Sequence, residues 1–78
     1  MTNKIHDTAL ALLNGGLMRI RTMIDRGNDS KYILAGLREL QAKADFARDL
    51  ELISDDEYQE IKEKWYHYRE LLDIINQQ

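Results

Sequence analysis

The sequence predicts an all-α fold, a three-helix antiparallel arrangement in one domain over residues 1–78, and three observations carry that prediction. Apolar residues recur at steps of three and four over three separate stretches, the spacing of one helix face. The chain has no proline, so nothing forces a break inside those stretches. Two short segments, the polar "GNDS" at 27–30 and the connector "LELIS" at 50–54, punctuate the pattern where helices must stop and start. The expected helices are about 3–26, 30–50 and 55–76.

The first helix has to run through Asn14-Gly15-Gly16, which is turn chemistry. Leu10, Leu13, Leu17, Ile20 and Ile24 nevertheless keep their phase straight across it. Two glycines cost a helix on the order of 2 kcal/mol against alanine. Burying each flanking Leu or Ile contributes roughly 1.5–3 kcal/mol, so the helix wins. Gly16 falls on the apolar side, where it admits a close approach by a bulky side chain such as Trp65 or Phe46. Gly15 falls on a second stripe with Lys4, Thr8, Ala11, Arg19, Thr22 and Arg26.

Gly27 ends the first helix and Asn28 or Asp29 caps the second. Ile33, Leu37, Leu40, Ala44 and Ala47 form the second stripe, flanked by Leu34, Phe46 and Leu50. A connector as short as "LELIS" makes the second and third helices an antiparallel hairpin. The third helix opens on Ser54-Asp55-Asp56-Glu57, a capping box with two extra carboxylates at the positive end of the helix. Its seam is Tyr58, Ile61, Trp65, Tyr68, Leu72 and Ile75, widened by Leu71 and Ile74.

Composition narrows the function classes. There is no cysteine, which excludes disulfides and thiolate zinc sites. No run approaches the roughly 20 apolar residues of a membrane span, and the apolar stretch near the N-terminus is too short for a secretory signal. A cytoplasmic protein is expected, with no membrane role. No catalytic motif, cofactor or metal site is expected. Ser30 and Ser54 are cap or turn residues, and Gly15-Gly16 lacks the context of a phosphate loop. Glu63, His67 and Glu70 share a helix face outside the apolar seam and read as a solvated surface. His6 reads as a lone polar surface residue. Tyr66, beside Lys62 and Arg69, is expected to pack sideways against a neighbouring chain or helix, with stacking on a base or a partner side chain as the alternative.

The net charge of −3 is unevenly placed: residues 1–43 sum to +3 and residues 44–78 to −6. Asp45, Asp49, Glu51, Asp55, Asp56, Glu57, Glu60 and Glu63 gather around the second connector, opposed by Arg48 and Lys62. Helix capping accounts for Asp55 to Glu57 only. Asp49, Glu51, Asp56 and Glu60 are therefore the expected partner-binding residues, facing a protein with a basic surface. Lys4, Arg19 and Arg26 are candidate contacts to nucleic acid or to a partner helix. Three cations spread over six turns give little nonspecific affinity, so nucleic acid is not the expected partner.

The stretch from Leu37 to Trp65, "LRELQAKADFARDLELISDDEYQEIKEKW", resembles the short helical-hairpin module called SHOCT. That family joins two helices through a G-x-I/L-[ST]-x-E-E-[FY] connector. Here Ile53-Ser54, the acidic cap, Glu57-Tyr58 and Lys62 carry the likeness; Glu51 or Leu52 stands where the family has glycine. The resemblance covers under half the chain and implies an interaction or oligomerisation hairpin without catalysis.

The expectation is a small non-enzymatic adaptor, inhibitor or regulator acting through the acidic elbow and its helix faces. Its size and style suit phage or mobile-element accessory proteins that block a host machine. The alternative is a small nucleic-acid-associated transcriptional regulator using the basic stripe of the first helix. A homodimer is also expected, because so thin a core hardly covers every apolar face.

Overall fold

The computed structural model describes residues 3–77, and three helices fill almost all of it. They are α1 (Lys4–Asp25), α2 (Ser30–Asp49) and α3 (Asp55–Asn76). Each helix packs on both others, in an up-down-up bundle with α1 and α3 parallel. His6 at the start of α1 meets Glu57 in the first turn of α3. Ser30 at the start of α2 bonds Asn76 at the end of α3.

Each helix start has a local cause. Asn3 accepts the His6 backbone N–H at 3.1 Å, and Asp29 accepts that of Lys31 at 3.1 Å. Ser54 and Glu57 form the reciprocal capping box: the Glu57 N–H donates to Ser54 Oγ, and the Ser54 N–H donates to Glu57 Oε1.

Helices α1 and α2 end in the same device. After α1 the Asn28 N–H donates to the Met23 carbonyl and the Gly27 N–H to that of Ile24. After α2 the Leu52 N–H donates to Ala47 and the Glu51 N–H to Arg48. Both are Schellman motifs, which place the residue after the cap in the left-handed region. Gly27 takes it with φ 68°, as its lack of Cβ permits; Glu51 takes it with φ 58°.

The core is one cluster. α1 gives Leu13, Leu17 and Ile20; α2 gives Ile33, Leu37, Leu40, Ala44 and Ala47; α3 gives Tyr58, Ile61, Trp65 and Leu72. Helix α1 runs unbroken through Gly15 and Gly16, as its apolar phase requires. Gly16 seats Leu40: a Cβ there would stand 2.8 Å from Leu40 Cδ1. That corrects the expected neighbours Trp65 and Phe46. Trp65 is committed elsewhere, its indole N–H donating to the Leu37 carbonyl at 2.6 Å, and Phe46 faces outward.

Other departures share one cause, the position of neighbouring helices. Ile53, in the connector, is buried because the chain turns inward beneath the bundle end. Ile74 and Ile75 are exposed because α1 ends beside His67, Tyr68 and Leu71, short of the last turn of α3. Lys62 is buried, its stem covered and its ammonium lying 4.6 Å from the Trp65 ring centre and 4.9 Å from that of Tyr66.

Candidate interaction surfaces

The acidic elbow joins α2 to α3, and its carboxylates divide into two sets. Asp45 and Glu57 serve the fold. Asp45 accepts the Tyr58 hydroxyl, and that bond, with burial, pushes the phenol above its ordinary value. Glu57 caps α3 and also meets His6, whose Nε2 lies 2.8 Å from Oε2 and 2.9 Å from Oε1. His6 Nδ1 faces Asp7 at 3.1 Å. With a carboxylate at each ring nitrogen, His6 is held above its ordinary pKa, chiefly by Glu57 and then by Asp7. Glu57 is held below its own, first by the Ser54 N–H and then by His6. His6 is therefore not the lone surface residue its sequence context suggests. It pins the start of α1 to the elbow.

The second set faces solvent. Asp49, Glu51, Asp56 and Glu60 are all exposed. Asp49 and Glu51 line a shallow hollow at the bundle end, together with Asn3, His6, Arg48 and Asp55. Arg48 reaches Asp49 at 3.5 Å and also lies 4.4 Å from the centre of the Tyr58 ring. Asp56 and Glu60 sit one turn apart on the outer face of α3, outside that hollow. Glu51, Asp56 and Glu60 make no ion pair among the described residues.

The basic stripe does not converge. Lys4 and Arg26 stand at opposite ends of a helix about 33 Å long at 1.5 Å per residue. Arg19 lies between them, beside Glu39, whose carboxyl it helps hold below the ordinary value after the larger effect of Lys43. Of the Tyr66 trio only two members meet: Lys62 is buried with its ammonium over the Tyr66 ring, while Arg69 bonds Asp73. Glu63, His67 and Glu70 are exposed on α3, and no group of three or more His, Cys, Asp or Glu among the described residues is placed to hold a metal ion. No helix there is long and apolar enough to cross a membrane.

A different surface emerges along α1 and α2. A groove of about 340 Å³ between them is floored by Leu13, Gly16, Ile20, Gly36 and Leu40 and rimmed by Leu12 and Phe46. Leu12 is 71% exposed and Phe46 63%. Tyr32 and Leu50 stand out from α2 as well. The signal was present in the sequence as apolar residues outside the α2 stripe, but they read as flanks of the core. Compared with protein-family models, curated proteins and solved structures, the chain matches none.

Proposed function

We propose that this chain is a non-enzymatic interaction protein, an adaptor, inhibitor or regulator, whose acidic elbow seats on the basic surface of a protein partner. The observation that carries the reading is Glu51. A residue with a Cβ in the left-handed region costs roughly 1–2 kcal/mol, and the equivalent position after α1 is glycine. Backbone strain of this kind concentrates at functional positions. A carboxylate stands here, at the tip of the hairpin and beside Asp49, where fold stability favours glycine. The SHOCT-like hairpin has its family glycine in this same part of the chain. A phage or mobile-element accessory protein that blocks a host machine is one role of this kind.

Carboxylates projecting from one end of a rod steer a basic groove toward it and speed association at low salt. The test is capture of partners from a lysate of the encoding organism, with the chain compared to a form carrying Asp49→Asn, Glu51→Gln, Asp56→Asn and Glu60→Gln. The captured partner binds the neutralised form more weakly, with a flatter salt dependence. Equal binding at every salt concentration places the contact elsewhere.

A further inference from the structure

We propose that two copies of this chain pair through the outer face of α2, running antiparallel about a two-fold axis at the level of Gln41. The proposal is independent of the elbow reading and rests on the order of residues along one stripe. Tyr32, Gly36, Glu39, Lys43, Phe46 and Leu50 follow one another at steps of 4, 3, 4, 3 and 4, which is a heptad seam. The core stripe of α2 is a different face, already covered by α1 and α3. On the outer stripe Tyr32 is 63% exposed, Phe46 63% and Leu50 54%. The side chains of Glu39 and Lys43 are 68% and 64% exposed.

The stripe is complementary to itself when reversed. Tyr32 and Leu50 stand equally far from Gln41 on either side, as do Gly36 and Phe46, and Glu39 and Lys43. An antiparallel second copy thus sets Tyr32 against Leu50, Gly36 against Phe46, and Glu39 against Lys43, each twice. Aromatic meets aliphatic, knob meets notch, and anion meets cation. An isologous interface requires one patch to carry both halves of each contact, and this one does. A parallel pair would set Glu39 on Glu39 and Lys43 on Lys43, so like charges disfavour it.

Gly36 presents no side chain, and Ile20 Cδ1 stands 2.8 Å from where a Cβ would be, so the glycine is half-buried against α1 and leaves a low point in the stripe. Together with Gly16 and Ile20 it floors the α1–α2 groove, so the other copy's Phe46 lies over Gly36 along that groove. Within one chain Glu39 and Lys43 are already paired at 3.0 Å. In the dimer they form a four-charge cluster around the axis. The two elbows then lie at opposite ends of α2, on the order of 30 Å apart at 1.5 Å per residue.

Sedimentation equilibrium of the full chain across the micromolar range reads the first outcome: twice the chain mass, falling toward one on dilution. Glu39→Lys and Lys43→Glu each place like charges across the axis, and each weakens the dimer at least ten-fold. Mixed in equal amounts, the two variants restore it as a heterodimer, because one now carries two lysines at the centre and the other two glutamates. The intrachain ion pair is broken in both, so it does not account for that recovery. A second measurement is independent of charge. The chain has no cysteine, and the double variant Tyr32→Cys, Leu50→Cys forms an interchain disulfide under mild oxidation. A monomer mass throughout the range overturns the proposal. So does a dimer indifferent to both charge reversals, or one that fails to cross-link at these positions.

Discussion

His6 Nε2 lies 2.8 Å from Glu57 Oε2, joining the first turn of α1 to the first turn of α3 across 51 positions of sequence. Both partners are shifted toward their charged forms. A histidine raised in the folded state adds stability that is fully present below its ordinary 6.5 and is lost as pH rises through the raised value. A glutamate lowered from 4.5 adds stability present above that value and lost as pH falls through the lowered one. The clasp is therefore strongest between about 4.5 and 6.5. Protection of the first-turn amides of α1, measured against their intrinsic exchange rate at each pH, is expected to be greatest in that window and to fall as His6 deprotonates. Glu57→Gln should return the His6 titration, followed by NMR, most of the way to 6.5, with Asp7 keeping a residue of the shift. A wild-type His6 titrating at its ordinary value would sink the idea.

Glu51→Gly should stabilise the isolated chain by about 1 kcal/mol, because glycine occupies the left-handed region without a Cβ penalty. Urea unfolding reads the gain as a higher midpoint at constant slope. The same variant should capture the partner less well. Stability and binding moving in opposite directions is the signature of a residue kept for its contact.

Gly15 and Gly16 are neighbours in sequence and differ in surroundings. Nothing lies within 4 Å of a Cβ at Gly15, so Gly15→Ala gains helix propensity, about 1 kcal/mol. At Gly16 the same gain is opposed by the buried Leu40, whose Cδ1 has to move from 2.8 Å. Gly16→Ala should therefore fall below Gly15→Ala in thermal midpoint and at best match the wild type. Equal gains from both would show that the α1–α2 contact yields freely.

Trp65→Phe keeps an aromatic ring in the core and removes the indole N–H. The Leu37 carbonyl loses its cross-helix donor. The expected cost is about 1–2 kcal/mol, combining that hydrogen bond with lost packing beneath Lys62. Chemical denaturation measures it, and no loss would mean that the bond adds nothing beyond ring burial.

The sequence by itself determined the local structure of this protein. The capping box at Ser54 and Glu57, the turn at Gly27 and the phase of Leu13, Leu17 and Ile20 are interactions within a few residues. They place the helix ends, and they place five α2 side chains in the core. The tertiary structure decided what those helices meet. Which carboxylates serve the fold depends on residues far away in sequence: His6 claims Glu57, and Tyr58 claims Asp45. Leu40 rather than an aromatic fills the space above Gly16 because α2 lies antiparallel to α1 at one register. Phe46, flanking the core stripe in sequence, stands in solvent because no third helix covers that side of α2. Periodicity reports the direction of a side chain around its own helix axis. Whether another helix stands in that direction is set by packing, and that is where the outer seam of α2 became visible.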